Sequence, residues 1–119
     1  MLNDKLPSDS AERKRIAIAT GVIDYFPDAM IEIAKLSWVG NEKHNPGQPT
    51  HWARGKSSDH VDCIGRHLTE RNEIETDNIT HMANAAWRSM AELQEALEKK
   101  YGLSLPYGAT PPGVELETK

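Results

Sequence analysis

The segment from Ile79 to Tyr101, ITHMANAAWRSMAELQEALEKKY, decides the fold class of this chain of 119 residues. Its apolar side chains recur every three or four residues, which is the spacing of one face of an α-helix. These positions are Ile79, Met82, Ala83, Ala86, Met90, Leu93 and Leu97. Thr76 or Asp77 can cap the N-terminus, and Gly102 follows as a C-terminal stop. The pattern predicts a helix over 77–101.

Two shorter helices are predicted upstream of this segment. Pro27 is favoured in the first turn of a helix and Gly40 offers a stop, so we expect a helix over 27–39. Serines precede a second periodic segment, which predicts a helix over 58–71. Its apolar positions are Val61, Ile64 and Leu68. Strand signals are weak throughout, so the sequence predicts an all-α protein.

The length of the chain allows one small domain. We expect a single all-α domain over 1–102, with an irregular N-terminal segment over 1–24. The segment 103–119 contains three of the seven prolines and no periodicity, which predicts a tail that runs loose or wraps a partner. Three helices with one long apolar stripe make a thin core. We therefore expect a small helical bundle completed by oligomerisation, as a homodimer or homotetramer.

Composition excludes several classes of protein. The net charge of −4 argues against a binder of nucleic-acid polymers, because such affinity comes largely from Lys and Arg. The single cysteine, Cys63, cannot form an internal disulfide. No apolar run approaches the roughly 20 residues that span a bilayer, and the N-terminus lacks the apolar region of a signal peptide. We expect a soluble protein of the cytoplasm, with no membrane partner.

Charge is segregated along the chain. The segment 43–58 contains no acid and has a basic set of side chains, whereas 59–77 has six acids and two arginines. The basic set is Lys43, His44, His51, Arg54 and Lys56. A basic loop beside an acidic segment is the arrangement expected for a triphosphate handled with Mg²⁺, because the metal prefers carboxylate oxygens and phosphates pair with Lys and Arg. The alternative is that each segment is only a solvated face.

Several individual residues also leave two interpretations open. Trp52 either folds back into the core or offers a ring on which a base stacks. Glu32 lies between isoleucines, so it is either on the outer face of its helix or points inward to a partner or metal. His60, Cys63 and His67 are a weak zinc pattern, because the four ligands of a structural zinc site are not evident.

The turn between the second and third predicted helices brings a further group together if those helices pack antiparallel. The group is Glu70, Glu73, Asp77 and His81. Because oxygen ligands dominate it, the group suits a hard divalent cation better than zinc. The alternatives are that Asp77 is only a helix cap and that His81 is a solvent-facing or hydrogen-bonded histidine.

Several motifs follow one another in order over roughly 11–98. The motifs are Asp24-Tyr25-Phe26-Pro27-Asp28-Ala29, Glu32-Ile33-Ala34, the segments 40–47 and 51–57, Asp59-His60, Arg66-His67-Leu68, Glu70-Arg71, Asp77, His81 and Ala86-Trp87-Arg88. Together they resemble a known family, the phage-type dATP/dGTP diphosphohydrolases, and they are also similar to small all-α, MazG-like nucleoside triphosphate pyrophosphatases. The first helix carries only Glu32 of the Glu-Glu-x-x-Glu pattern usual in the MazG-like superfamily, with Glu42 beyond its predicted end.

The resemblance implies Mg²⁺- or Mn²⁺-dependent hydrolysis of a deoxynucleoside triphosphate, preferably dGTP or dATP, to the monophosphate and pyrophosphate. It also implies an oligomeric bundle and a role in phage nucleotide-pool control, in the host cytoplasm. The predicted metal ligands are Glu32, Glu70, Glu73 and Asp77, and the predicted catalytic residues are Glu32, His67 and Glu70. The predicted substrate-binding residues are Lys43, His44, Asn45, His51, Trp52, Arg54, Lys56, Arg66 and His81.

The hypothesis gives each group a role. Metal ions lower the pKa of a bound water, and His67 or a carboxylate accepts its proton. The basic residues offset charge on the pyrophosphate, and Trp52 with His51 stacks on the base. A rival hypothesis is a non-catalytic helical dimer that binds nucleotide or protein as a phage accessory. A second enzymatic alternative is metal-dependent release of phosphate or triphosphate with the histidines.

Overall fold

The computed structural model describes residues 6–75 and 78–117, and these form an all-α fold as predicted. The helices are α1 (Ser10–Lys14), α2 (Pro27–His44), α3 (His60–Thr69) and α4 (His81–Tyr101), with a π-helical turn at Ala19–Ile23. Two strands of two residues each, β1 (Trp52–Ala53) and β2 (Ala109–Thr110), pair in parallel. No helix within the described ranges has the length and hydropathy needed to cross a membrane.

Helix α4 is the element against which α2 and α3 pack. It begins at His81 rather than at the predicted residue 77, because the hydroxyl of Thr80 accepts a hydrogen bond from the Ala83 amide at 3.0 Å and caps the helix. The predicted caps, Thr76 and Asp77, lie outside the described residues. The helix ends as predicted at Gly102, whose φ of 62° is left-handed.

The other two helices differ from their predicted bounds. Helix α2 continues five residues beyond the predicted end at 39, because Gly40 does not adopt the left-handed backbone that terminates a helix. The side-chain amide of Asn41 then donates to the Gln48 carbonyl at 2.9 Å and stabilises the turn after the helix. Helix α3 covers His60–Thr69, shorter at both ends than predicted, with Asp59 as its N-cap residue.

The apolar stripe predicted for α4 is divided in the structure. Ile79 and Ala83 are buried, together with Ala85 and Ala91 outside the predicted stripe. Three large members of the stripe are about half exposed: Met82 at 51%, Met90 at 49% and Leu93 at 59%. Small residues lie on the buried face, where they allow the neighbouring helices to approach closely, and the three large residues lie on an outer face. The apolar core of the described chain is therefore thin.

A buried ion pair anchors the loop between α2 and α3 to helix α4. The guanidinium of Arg54 donates to both carboxylate oxygens of Glu98, at 2.8 and 2.7 Å, and both side chains are about nine-tenths buried. Gln94 donates to the same carboxylate at 2.9 Å. The hydrogen bond from Arg54 holds the pKa of Glu98 below its ordinary value. The bidentate geometry gives the loop a defined position on α4.

The segment after α4 is not loose in the described part of the chain. Its strand β2 pairs with β1, and the Trp52 amide donates to the Gly108 carbonyl at 2.8 Å. The side chain of Gln48 donates to Glu115 at 2.7 Å, and its oxygen accepts from the Leu116 amide at 3.3 Å. The expectation that 103–119 runs loose or wraps a partner is therefore corrected for 103–117, which pack on the chain's own loop.

The ion pair between Arg54 and Glu98 makes the first prediction. Glu98→Gln leaves a buried guanidinium without its counter-charge, and we expect the free energy of unfolding to fall by about 3 kcal/mol. Urea denaturation followed by circular dichroism measures it. Arg66→Gln is the matched control, because it breaks an exposed ion pair with Asp59 and leaves stability nearly unchanged.

The same pair also predicts an acid dependence. Because the pKa of Glu98 is lowered on folding from its ordinary 4.5, its stabilising contribution is present above pH 4.5 and is lost as the pH falls through the folded value. For the mutational comparison, equal losses of the free energy of unfolding in Glu98→Gln and Arg66→Gln would contradict the role of the Arg54–Glu98 pair in anchoring the loop.

Candidate functional site

A cavity of about 760 Å³ lies between α2, the following loop and α4. Its size is within the range of small-molecule sites. One part of the lining is apolar and comes from the two long helices and the residue that precedes the Thr80 cap: Ile33, Leu36, Val39, Ile79, Met90 and Ala91. The other part is polar and comes from the end of α2, the loop, His67 of α3 and helix α4. Pro106 and Gly108 of the C-terminal segment complete the wall.

The charged residues that line the cavity are all basic in the described part of the chain. They are Lys43, Lys56 and Arg88, accompanied by four histidines, His44, His51, His67 and His81. No Asp or Glu is among the described lining residues. A concave site with charges of one sign concentrates ligands of the opposite sign. The cavity is therefore suited to an anion with an apolar portion.

Seven of the nine predicted substrate-binding residues line this cavity: Lys43, His44, Asn45, His51, Trp52, Lys56 and His81. Asn45 is buried and its amide donates to the side-chain oxygen of Asn41 at 3.3 Å. The Nδ1 atom of His51 donates to the Pro49 carbonyl at 2.7 Å, which leaves its buried Nε2 atom without a hydrogen-bond partner in the described residues. The Lys56 ammonium is exposed and lies 3.9 Å from Glu115.

Two predicted substrate-binding arginines have other positions. Arg54 is not among the lining residues, because its charge is buried against Glu98. Arg66 is exposed on α3, where it donates to Asp59 at 2.8 Å and to the sulfur of Cys63 at 3.0 Å. Hydrogen bonds from Arg66 and Ser57 lower the pKa of Asp59 to about 2. Neither arginine faces the cavity in the described structure.

Trp52 adopts the core-packing alternative. Its ring contacts Trp87 edge to face, with centroids 5.6 Å apart, and lies 6.4 Å from the ring of His60. The Arg54 guanidinium covers one face of the indole at 3.8 Å from the ring centroid. That face is consequently not available for stacking on a base.

The predicted metal ligands do not meet in the described residues. Glu32 accepts a hydrogen bond from the Thr80 amide at 3.1 Å, and Glu70 and Glu73 are exposed after α3. Asp77 lies outside the described residues. No group of three or more His, Cys, Asp or Glu side chains within 6–75 and 78–117 is placed to hold a metal ion. The carboxylates described in one protomer therefore do not fit a complete metal site.

Two predicted histidines meet at the cavity wall. The Nδ1 atoms of His67 on α3 and His81 on α4 are 3.0 Å apart, a distance at which one ring donates a hydrogen bond to the other. Burial lowers the pKa of His67, and the charge of His81 lowers it further. His67 is consequently neutral at pH 7 and able to accept a proton.

A polar chain that the sequence interpretation missed links α3 to α4. Arg88 Nη1 donates to the Ser57 hydroxyl at 2.6 Å and to His60 Nδ1 at 3.1 Å. His60, only 2% exposed, uses its Nε2 atom to donate to Glu95 at 2.7 Å. Arg88 and Glu95 are seven residues apart and share a helix face, so this spacing was the available signal. The apolar periodicity of α4 drew the prediction to the other face.

The fold and the cavity define an all-α protein with a cavity whose charged lining residues, in the described part of the chain, are cationic. The model of the family described as dATP/dGTP diphosphohydrolase, N-terminal, matches residues 7–102, so the chain belongs to that family. The family's description names hydrolysis of dATP and dGTP, and the match is to its N-terminal domain. No curated protein and no solved structure matches the chain. The similarity to MazG-like enzymes stays a prediction.

The histidine pair makes the second prediction. We expect His67 to titrate below its ordinary pKa of 6.5 in an NMR titration of the imidazole carbon-bound protons. His81→Asn removes the charge of His81, which is one of the two main causes of the low pKa, and therefore raises the pKa of His67. Burial, the larger cause, keeps this pKa below 6.5. Glu70 acts in the opposite direction, whereas Arg88 and Arg66 also lower this pKa.

The sign of the accompanying stability effect follows from linkage. Because folding lowers the pKa of His67, its contribution to stability is present above pH 6.5 and is lost as the pH falls through the folded value. A His67 midpoint that is the same in the wild-type protein and in His81→Asn would show that the pair does not form in solution.

Proposed function

We propose that this protein hydrolyses purine deoxynucleoside triphosphates to the monophosphate and pyrophosphate. The observation that carries the proposal is the cavity whose charged lining residues, Lys43, Lys56 and Arg88, are all cationic. It occurs in a chain whose family is described as a dATP/dGTP diphosphohydrolase. A triphosphate is the anionic portion of such a ligand, and its nucleoside is the less polar portion.

The two parts of the lining suit the two ends of the substrate. The phosphates pair with the cations at the end of α2, in the loop and on α4. The nucleoside packs against the apolar part between α2 and α4, which includes Ile33, Leu36 and Met90. Since Arg54 covers one face of Trp52, we expect the base to be held by this apolar wall rather than by stacking on that face.

The chemistry of the proposed reaction is attack of water on the α-phosphorus. A bond forms between the water oxygen and the α-phosphorus, and the bond from that phosphorus to the α–β bridging oxygen breaks. Pyrophosphate leaves with the electron pair of that bond. Neutral His67, lining the cavity and hydrogen-bonded to His81, accepts the proton from water. The cationic residues offset the charge that develops on pyrophosphate.

We propose that turnover requires Mg²⁺ or Mn²⁺. Such an ion neutralises phosphate charge and lowers the pKa of water. Mg²⁺ is commonly held by substrate phosphates together with one or two carboxylates, so a complete protein site is not a requirement. Glu32, Glu70, Glu73 and Asp77 stay the predicted ligands, although the described members of this set do not converge in one protomer.

We further propose that the protein acts as a homodimer or homotetramer. Large apolar side chains on α2 and α4 that do not line the cavity are about half exposed: Ile31, Trp38, Met82 and Leu93. One protomer exposes 8773 Å², against about 6,500 Å² for a folded monomer of this mass. A standard interface buries about 800 Å² from each partner. A second copy on these faces buries that apolar surface.

The biological setting that fits this activity is control of the deoxynucleotide pool of a phage in the cytoplasm of its host. Selective removal of dATP or dGTP changes which nucleotides a polymerase incorporates. This setting rests on the resemblance of the motifs and on the substrates in the family's description.

A non-catalytic nucleotide-binding accessory protein is the second candidate. The separation of the described carboxylates from the cavity favours it, because the cationic lining is sufficient for binding and insufficient for a metal-dependent reaction. This candidate predicts binding of nucleotide without turnover.

The third prediction concerns the reaction. Incubation of the purified protein with each dNTP and Mg²⁺ or Mn²⁺ should yield dNMP and pyrophosphate, separated by ion-exchange chromatography. The reaction should be fastest with dGTP or dATP, and EDTA should abolish turnover.

Lys56→Met should raise KM about tenfold, because one phosphate contact is lost. Lys99→Met, an exposed residue outside the cavity lining, is the matched control.

Each product pattern decides between the candidates. Release of dNDP and phosphate, or of nucleoside and triphosphate, would contradict cleavage between the α- and β-phosphates. Nucleotide binding without any product, with both metal ions tested, would support the accessory protein instead.

The fourth prediction concerns assembly. Size-exclusion chromatography with light scattering should give a mass of two or four chains for the wild-type protein. Leu93→Glu places a charge on the exposed apolar face of α4 and should shift the mass toward one chain, whereas Glu92→Gln, an exposed neighbour, should not. A monomeric wild-type mass at working concentration would refute the assembly.

A further inference from the structure

We propose that Arg88 is the phosphate anchor of the cavity and that His60 and Glu95 hold it in position. The inference rests on the proposed function for the identity of the natural ligand, a nucleoside triphosphate. The chemical class that Arg88 recognises is a phosphate or polyphosphate group. Among the residues predicted from sequence to bind substrate, Arg88 is absent, because the apolar stripe of α4 was the feature interpreted there and Arg88 lies outside that stripe.

Arg88 has hydrogen-bond donors that its neighbours leave unused. Its Nη1 atom donates to Ser57 and His60, while its Nη2 and Nε atoms make no hydrogen bond with the described residues. These two atoms are not among the buried atoms that lack a partner, so they keep some accessible surface, and Arg88 is one of the residues that line the cavity. The Nη2 and Nε edge of a guanidinium matches two phosphate oxygens.

The charge of Arg88 is also available. Within the described residues Arg88 forms no ion pair with a carboxylate, whereas Arg54 is paired with Glu98, and Arg66 with Asp59. Arg88 is half-buried, which weakens competition from water for its hydrogen bonds. Among these three arginines, only Arg88 combines a cavity position with a free charge.

The hydrogen bonds of His60 define its state and, through it, the orientation of Arg88. Because an arginine N–H always donates, His60 Nδ1 must accept and carries no proton. The proton therefore resides on Nε2, which donates to the Glu95 carboxylate. Trp52 and Trp87 pack edge to face against the His60 ring, with centroid distances of 6.4 and 6.2 Å. Nη1 of Arg88 is thus held by Ser57 and His60, and the proposal assigns its remaining donors to the ligand.

The test is binding of inorganic tripolyphosphate, measured by isothermal titration calorimetry. Arg88→Met should weaken the Kd about 10- to 100-fold, and Arg88→Lys, which keeps the charge without the two-pronged geometry, should restore only part of it. Arg71→Met is the matched control, because Arg71 is exposed, outside the cavity lining, and bonded to the Leu68 carbonyl. It should bind like the wild-type protein.

The role of the supporting pair has its own readout. The imidazole ¹⁵N shifts of His60 should show a proton on Nε2 and none on Nδ1. Glu95→Met should weaken tripolyphosphate binding about threefold and Glu95→Gln should restore it, because the glutamine oxygen still accepts from Nε2. A purely structural role would lower the melting temperature in Glu95→Met without changing the Kd of the folded protein.

The outcomes separate this inference from the proposed reaction. Tripolyphosphate binding that depends on Arg88, without hydrolysis of any dNTP, upholds the anchor and refutes the reaction. Hydrolysis of dNTPs with an unchanged KM in Arg88→Met refutes the anchor and leaves the reaction standing. Absence of tripolyphosphate binding to the wild-type protein also refutes the anchor. If Arg88→Met does not fold, the comparison of Arg88→Lys with wild type decides in its place.

Discussion

The ion pair between Arg54 and Glu98 is the constraint on which the rest of the site depends. The loop between α2 and α3 has little regular structure, and this pair fixes it on α4. The Arg54 guanidinium in turn covers Trp52, which packs against Trp87 of the same helix. Because the loop forms one wall of the cavity and α4 another, the pair holds the two walls at a defined separation.

The same pair divides the basic residues of the chain into two groups. Arg54 is buried against Glu98 and is not a lining residue, whereas Lys43, Lys56 and Arg88 line the cavity. A chain with a net charge of −4 can therefore present a cationic site, because no Asp or Glu among the described residues lines the cavity. Electrostatic attraction of a polyphosphate depends on this local arrangement rather than on the net charge.

The parts of the fold that depend on local sequence were predictable. The periodicity of α4 and its end at Gly102 follow from side-chain spacing and the left-handed conformation of glycine. The start of α4 was not, because Thr80 and three of the four residues before it are all acceptable caps. The turn after α2 is held by the bond from the Asn41 side chain to the Gln48 carbonyl, which no local pattern specifies.

The same distinction applies to the site. The basic segment indicated an anion site, and most of its residues line the cavity. Arg54 of that segment, however, is paired with Glu98, which is 44 positions away, and this contact depends on tertiary packing. Arg88 was not predicted, because the apolar stripe of α4 was the pattern interpreted in that segment. Its partners Ser57 and His60 come from another part of the chain, so no local pattern indicates them. Spacing gives the faces of a helix but not the element that covers each face.

Polar contacts carry much of the rigidity of the fold, because the buried apolar residues in the described part of the chain are one isoleucine and three alanines. The contacts that shape the cavity are therefore also contacts that stabilise the fold. Substitutions in the pair of Arg54 and Glu98 act on both properties together. Loss of binding without loss of folding is expected only for donors of lining residues that do not join two elements. The Nη2 and Nε atoms of Arg88 join no two elements in the described residues, while its Nη1 atom donates to Ser57 and His60 and so belongs to the scaffold. One side chain thus links the stability of the helices to the chemistry of the site.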